Sequence, residues 1–260
     1  MTLPFVLKFY STAPVCAGRL ISVAEATTHL FGGVPLAGEY ALDTTEAVIG
    51  FDDIEKISRD LPDWTGCLTV VFGDGRGFSG RADLLRLRRK RVRGTQMGEL
   101  AQYRTHEFMI EIESTRRREL SQYELFEYFA KVSELLEVQF GLAHDSNGVP
   151  WSMPSSRGLE GGLPGIYRMT ALGAPFVKLI GLDALLRLPV PEVRCLSDGI
   201  VAIRLEDENA FIQEGDKSEL CDAVKEAIGK EFFAKSSETS FELGGGAGKS
   251  LVFHWCSSTH

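Results

Sequence analysis

The chain has 260 residues, of which 44% are hydrophobic and 25% are charged, a composition typical of a globular protein with a sizeable core. It contains no apolar run of the ~18 residues that a membrane-spanning helix needs, and no basic residue precedes its N-terminal apolar stretch as in a secretory signal. The formal net charge is −8. Because residues 81–118 carry eleven basic and five acidic residues, the rest carries −14, which disfavours nucleic acid and suits a basic partner.

The first part of the chain alternates predicted strands and helices. Residues 3–10 (LPFVLKFY) have the aromatic and β-branched content of a strand, and Ser11 and Thr12 can cap a helix that begins near Pro14. Further predicted elements are a short helix at Asp52–Leu61, a buried strand at Leu68–Phe72, a basic strand within Arg81–Arg93 and an alternating strand at Glu107–Glu113. The basic segment can also be drawn as a helix. If it is a strand, glutamates of the next strand would pair with its arginines.

The second part begins with the most regular helical pattern of the chain, Ser121–Phe140. Ser121 and Glu124 have the spacing of a capping box, and Gly141 follows the pattern. After a loop rich in Gly, Pro and Ser at 144–162, a proline opens a helix that a glycine can divide. The remaining predicted elements are that helix from Pro175 to Pro189 with its break at Gly181, a hairpin at Val193–Leu205 with its turn at Asp198-Gly199, a helix from Asp216 to Gly229, and a strand at Ser250–Cys256.

This order of elements predicts an α+β fold, with mostly antiparallel sheet and packed helices. The loop after residue 145 divides the chain into an N-terminal half, 1–145, and a C-terminal half, 146–260. We expect the two halves to share a core or to form one continuous domain. The most apolar segment, Leu163–Pro189, is expected to be the packing centre of the molecule.

No motif in the sequence predicts a catalytic, metal or cofactor site. The GGGAGKS segment at 244–250 has Leu243 where a phosphate-binding loop needs glycine, and too few residues follow it to form the required helix. The five cysteines form no CxxC pair and the five histidines have no metal spacing, so we expect reduced thiols in a cytoplasmic protein. Seven of the thirteen residues at Arg81–Arg93 are basic. They lack the interleaved aromatics of a single-strand binder, which favours a solvated or salt-bridged strand.

The Leu163–Pro189 segment and the hairpin after it resemble a known family. The residues that carry the resemblance are Gly165-Ile166-Tyr167, Gly173, Pro175-Phe176-Val177, Ile180-Gly181, Leu185-Leu186, Leu188-Pro189 and Asp198-Gly199. The pattern is similar to that of immunity protein family 52 of bacterial polymorphic toxin systems, whose members are encoded beside type VI secretion effectors. The chain departs from the pattern at Arg168, where members often have tryptophan. Because Arg168 breaks the expected packing, we expect it to face outward.

The resemblance implies a cytoplasmic protein that binds and neutralises a cognate secreted effector, a nuclease of the restriction-endonuclease type. It implies no catalysis, no cofactor, no membrane and no direct contact with nucleic acid. An acidic chain suits the basic groove of such a nuclease. From charge and loop position we predict partner contacts at Trp151, Arg168, Glu206, Asp207, Glu208, Glu214 and Asp216. The sequence leaves open whether the chain is a monomer or a homodimer.

Two other classes of function stay open at this point. An enzyme could assemble a site from dispersed residues such as Glu111, His144 and Asp145, and it would show a deep polar pocket. A nucleic-acid-binding adaptor could use Arg81–Arg93, and it would bind DNA by itself in a salt-dependent manner. The neighbouring gene is the most direct discriminator, because an immunity protein is expected beside a secreted effector with a nuclease domain.

Overall fold

The structure is a computed structural model, and it describes residues 4–11, 17–31, 37–42, 45–47, 66–73, 77–86, 106–145, 163, 166–205 and 219–232. Within these residues ten strands form one sheet, and every pair of neighbouring strands is antiparallel. The strands are β1 Phe5–Ser11, β2 Ala37–Leu42, β3 Thr45–Ala47, β4 Gly66–Gly73, β5 Phe78–Arg86, β6 His106–Ile112, β7 Phe140–Asp145, β8 Met169–Leu172, β9 Glu192–Cys195 and β10 Val201–Arg204. Their order across the sheet is β3-β2-β4-β5-β6-β1-β7-β8-β10-β9.

Helices in the described residues accompany this sheet. They are α1 Ala17–Leu30, α2 Ser114–Arg117, α3 Gln122–Leu135, α4 Ala174–Ile180, α5 Leu182–Leu186 and α6 Glu219–Ile228. The predicted α+β fold with antiparallel sheet is therefore confirmed. The predicted helix at Asp52–Leu61 and the predicted strand at Ser250–Cys256 lie outside the described residues, and so does the GGGAGKS segment at 244–250.

The central strand β1 is buried on both faces, and all seven of its residues are buried. Its side chains alternate between two hydrophobic cores, with Phe5, Leu7 and Phe9 in the first and Val6 and Tyr10 in the second. Residues of α1 and α3 complete the first core, and residues of α4, α5 and α6 complete the second. The sheet is thus the middle layer between two layers of helices.

The segment predicted to be the packing centre supplies a large part of the second core. Its buried residues there are Leu163, Ile166, Tyr167, Leu172, Phe176, Val177, Leu185 and Leu188. Pro175 lies in the first turn of α4, where its missing N–H removes no helical hydrogen bond. Gly181 has a φ of 97°, which glycine adopts without strain, and it separates α4 from α5 as predicted.

The start of α3 was predicted correctly and its end was not. The Ser121 hydroxyl accepts a 3.1 Å hydrogen bond from the N–H of Glu124, and the Glu124 carboxylate accepts a 2.8 Å bond from the N–H of Ser121. This capping box satisfies two backbone donors that the first turn leaves open. The helix, however, ends at Leu135 and does not reach Phe140, the first residue of β7.

The helix ends early because the backbone turns into a Schellman motif. The N–H of Val138 donates to the carbonyl of Ser133 at 3.1 Å, and the N–H of Glu137 donates to Glu134 at 2.9 Å. Glu137 takes the left-handed position with a φ of 47°. The next N–H, of Gln139, donates to the carbonyl of Tyr10 at 2.7 Å. Pairing with β1 therefore takes over from the helix.

The predicted boundary between two halves falls between two strands that pair directly. β7 ends at Asp145, and Gly141 of β7 is opposite Ala171 of β8. The sheet runs from one side of this boundary to the other, and the division into halves stays a prediction. The hairpin predicted at Val193–Leu205 is present as β9 and β10, but a 3₁₀ turn at 197–199 replaces the two-residue turn.

Candidate functional site

Of the residues predicted to contact a partner, the structure describes Arg168. The others, Trp151, Glu206, Asp207, Glu208, Glu214 and Asp216, lie outside the described residues, so their contacts stay predictions. The expectation that Arg168 faces outward is wrong, because only 5% of its surface is exposed. A buried guanidinium needs polar partners, and those partners define the candidate site.

The first partner of Arg168 is Asp145, the last residue of β7. Nη2 of Arg168 lies 3.2 Å from Oδ2 of Asp145, whose side chain is 32% exposed. The backbone of Arg168 is held as well, since its carbonyl accepts a 2.9 Å hydrogen bond from the N–H of Leu205. Arg168 therefore joins the end of β7 to the end of β10.

His144 and Tyr167 lie beside this ion pair. Their ring centroids are 6.0 Å apart in an edge-to-face arrangement. Burial lowers the pKa of His144 below its ordinary 6.5, and the positive charge of Arg168 lowers it further, against a smaller opposing effect of Asp145. Burial raises the pKa of Tyr167 to about 12. At neutral pH these two side chains are a neutral imidazole and a protonated phenol.

A second buried cation lies on β1, on the same face of the sheet. Lys8 is 2% exposed, and its ammonium lies 3.4 Å from Oε1 of Glu107 on β6. The neighbouring hydroxyl of Tyr10 is buried and has no hydrogen-bond partner among the residues that the structure describes. Burial raises the pKa of Tyr10, and the nearby Glu107 and Tyr167 add to this effect. We name the following residues the Arg168 cluster: Lys8, Tyr10, Glu107, His144, Asp145, Tyr167 and Arg168.

The Arg168 cluster keeps two cations in the interior by matching each with a carboxylate. Lys8 lies against Glu107 and Arg168 lies against Asp145. Removing either carboxylate would take an opposite charge away from a buried cation, which is destabilising. Among the described residues, no three His, Cys, Asp or Glu side chains lie together as the ligands of a metal ion would.

Two of the three residues considered for a dispersed catalytic site lie on the same face of the sheet. Glu111 of β6 and His144 of β7 are both opposite Val6 of β1, one on each side. Directly opposed residues share a face, so these side chains lie on one face with Cα atoms ~10 Å apart. The third residue, Asp145, is engaged with Arg168.

The basic segment Arg81–Arg93 is described as far as Arg86, within β5. This part is a strand and pairs with β6, in agreement with the favoured prediction. At the observed register Asp83 is opposite Glu107 and Arg81 is opposite Met109, and the charge pairs expected between the two strands stay a prediction. The carboxylate of Glu107 lies beside the lysine of β1.

Sequence reasoning missed Lys8 and Tyr10 as members of the site. A signal was present, because Lys8 is the lone charged residue in the apolar run LPFVLKFY. A strand buried on both faces has no solvent in which to place a cation, so such a lysine needs a carboxylate from a neighbouring strand. The sequence alone does not say which strand is the neighbour.

Comparisons with known proteins bear on the fold. No protein-family model and no curated protein matches the sequence. A solved structure, that of the Pseudomonas aeruginosa T6SS protein PA0821, is similar in fold, with a TM-score of 0.61 and 13% sequence identity. The likeness covers 96% of this chain and 80% of that chain. None of the helices in the described part of the chain is long and apolar enough to cross a membrane.

Proposed function

We propose that the chain is an immunity protein that binds and neutralises a cognate nuclease-type effector of a type VI secretion system in the bacterial cytoplasm. The observation that carries the proposal is the likeness in fold to the T6SS protein PA0821 over 96% of this chain. The resemblance of the Leu163–Pro189 segment to immunity protein family 52 points to the same secretion system. The two lines of support are separate, because one compares backbones and the other compares residues.

The charge of the chain supports capture of a basic protein. The net charge is −8 overall and −14 outside residues 81–118. A nuclease contacts DNA phosphates through basic residues, and opposite charges speed the encounter of two proteins. Neutralisation requires a dissociation constant on the order of 1 nM, or about −12 kcal/mol. An interface of ~800 Å² per partner can supply this affinity when its anchoring residues are well packed.

The Arg168 cluster supports the predicted contact residues indirectly. Asp145 immediately precedes the segment that contains Trp151, and Leu205 immediately precedes Glu206. Arg168 binds the side chain of Asp145 and the backbone of Leu205. The residues that precede the two predicted contact segments, Asp145 and Leu205, are therefore held at the same end of the sheet by one buried arginine.

The test combines the purified chain with the toxin domain of the effector encoded beside it. We expect cleavage of plasmid DNA to stop at one molar equivalent of the chain, and the two proteins to elute together on gel filtration. Undiminished cleavage, or separate elution, would reject the proposal.

A pair of charge variants then locates the contact. Replacing Glu206, Asp207 and Glu208 together by glutamine or asparagine should weaken neutralisation. The matched control replaces Glu219, Asp222 and Glu226 of α6 in the same way, which removes the same charge outside the predicted contact residues. Equal loss in both variants would show that only net charge matters and would contradict the predicted contact residues.

An enzyme with a dispersed site is the second candidate, favoured by the placement of Glu111 and His144 on either side of Val6. A carboxylate and a neutral imidazole on one face of a sheet could share general acid–base work. The double variant Glu111→Gln, His144→Gln distinguishes the candidates. If protein binding is the function, this variant neutralises the effector as well as the native chain does. Loss of neutralisation with unchanged binding would favour the enzyme.

A further inference from the structure

The second helical layer exposes a group of leucines. Three of the four exposed large apolar side chains in the described residues lie on α4 and α5: Leu179 is 43% exposed, Leu182 39% and Leu186 46%. The fourth, Tyr123, lies on α3. Smaller apolar residues near these leucines are exposed too, namely Ala174, Ala184 and Pro189. We name Leu179, Leu182 and Leu186 the leucine surface.

Among the described residues, the leucine surface is not needed for packing within the chain. The opposite sides of α4 and α5 already face the second core, where Phe176, Val177 and Leu185 are buried. A surface helix ordinarily has one apolar face and one polar face. Two short helices that are apolar on both faces indicate a second surface that becomes covered.

Charged residues beside the leucine surface indicate what covers it. Asp183 lies in the first turn of α5 and Arg187 is its C-cap; both are exposed, and they are four residues apart, the same spacing as Leu182 and Leu186. Neither Asp183 nor Arg187 has a salt-bridge partner among the described residues. When two copies of α5 pack antiparallel about a two-fold axis, Leu182 meets Leu186 and Asp183 meets Arg187, each twice. The surface is therefore complementary to itself in both apolar and charged groups.

We propose that the leucine surface is the interface of a homodimer, in which α5 packs antiparallel against α5 of a second copy. The proposal is independent of the effector. A basic nuclease groove is a poorer fit to this surface, because Lys178 and Arg187 lie at its edge together with the single acid Asp183. The leucines make up a small part of the ~800 Å² per partner of a standard interface, so we expect a reversible dimer. Its dissociation constant would be on the order of 10 µM.

Sedimentation equilibrium of the full chain, from about 1 to about 300 µM, measures this association. We expect the native chain to change from monomer to dimer over this range. Leu182→Glu should raise the dissociation constant at least about a hundredfold, because it places a carboxylate in the apolar centre. The matched control Tyr123→Glu, on the other helical layer, should leave it unchanged. Thermal melts check that the variants fold. Because the substituted positions are exposed, the variants should have the melting temperature of the native chain.

Charge reversal tests the antiparallel arrangement itself. Asp183→Arg or Arg187→Asp alone places like charges opposite each other and should weaken the dimer about tenfold. The double reversal in one chain recreates opposite pairs across the two-fold axis and should restore the native dissociation constant. A native chain that stays monomeric over the whole range overturns the proposal, as does a dimer that Leu182→Glu leaves intact. Loss of effector binding in Leu182→Glu from a monomeric chain would also overturn it and assign the surface to the effector.

Discussion

Nη2 of Arg168 lies 3.2 Å from Oδ2 of Asp145, and this ion pair crosses from the residue before β8 to the end of β7. Arg168 is buried as a core residue would be. The chain therefore keeps a large side chain in the interior and supplies a carboxylate for its charge. The consequences can be measured.

The first prediction compares the two partners of this ion pair. Asp145→Asn should lower the free energy of unfolding by about 3 kcal/mol, because it removes the carboxylate that lies 3.2 Å from a buried guanidinium. Arg168→Met should cost less, about 1 kcal/mol, since the remaining Asp145 is partly exposed and can be hydrated. Urea unfolding measures both. The control Lys131→Met replaces an exposed cation on α3, and its free energy of unfolding should stay within about 0.5 kcal/mol of the native value. Equal costs for the two variants would contradict the argument.

The second prediction concerns the pH dependence of stability. Burial and the neighbouring Arg168 hold the pKa of His144 below its ordinary 6.5 in the folded chain. The unfolded chain therefore binds a proton near pH 6.5 that the folded chain resists binding. The stability contributed by neutral His144 is complete above pH 6.5 and is lost as the pH falls toward the folded-state pKa.

The melting temperature between about pH 7.5 and 5 measures this effect. The native chain should lose stability over this range, and His144→Phe should lose less, because phenylalanine keeps the ring beside Tyr167 without a titrating group. His29→Phe changes an exposed histidine in the last turn of α1 and is the control. If the melting temperatures of His144→Phe and of the native chain fall equally with pH, His144 does not cause the loss of stability.

The third prediction concerns the buried lysine of β1. Lys8 is 2% exposed, and Lys8→Met replaces its charged side chain by an apolar one of similar length. Because such exchanges are often neutral or stabilising, the free energy of unfolding should stay within about 1 kcal/mol or rise. Glu107→Gln should instead destabilise the chain by about 2 kcal/mol, because it removes the carboxylate that lies 3.4 Å from the buried ammonium of Lys8. The reverse ranking in urea unfolding would show that Lys8 has a role besides its charge balance.

The fourth prediction separates two reasons for glycine in the Leu163–Pro189 segment. A Cβ on Gly173 would lie 2.8 Å from Cα of Gln139 and closer still to the carbonyl of Val138, so Gly173→Ala should cost about 3 kcal/mol or more. Gly181 has open space around it but a φ of 97°. Gly181→Ala should therefore cost only the backbone strain, about 1 kcal/mol. Similar unfolding midpoints for the two variants would contradict this distinction.

Residues close together in the sequence determined several features by themselves. The Ser121–Glu124 capping box, the break at Gly181 and the alternation in β6 were predicted correctly, because each depends on contacts within a few residues. The resemblance of the Leu163–Pro189 segment to immunity protein family 52 stays a prediction. The end of α3 could not be predicted from nearby residues, because the N–H of Gln139 donates a hydrogen bond to the carbonyl of Tyr10, which is distant in sequence, and this bond competes with the helix.

Only the tertiary structure decided where the charged and apolar residues of these elements lie. The order of the strands places β1 between β6 and β7, and this order gives Lys8 its glutamate and brings Glu111 and His144 to one face. Folding also turned Arg168 inward and left Leu182 and Leu186 outside, the reverse of what their hydropathy suggests. The physical reason is that hydropathy measures the cost of burial for an isolated side chain. A carboxylate within reach, or a second apolar surface, changes that cost and comes from residues far away in the sequence.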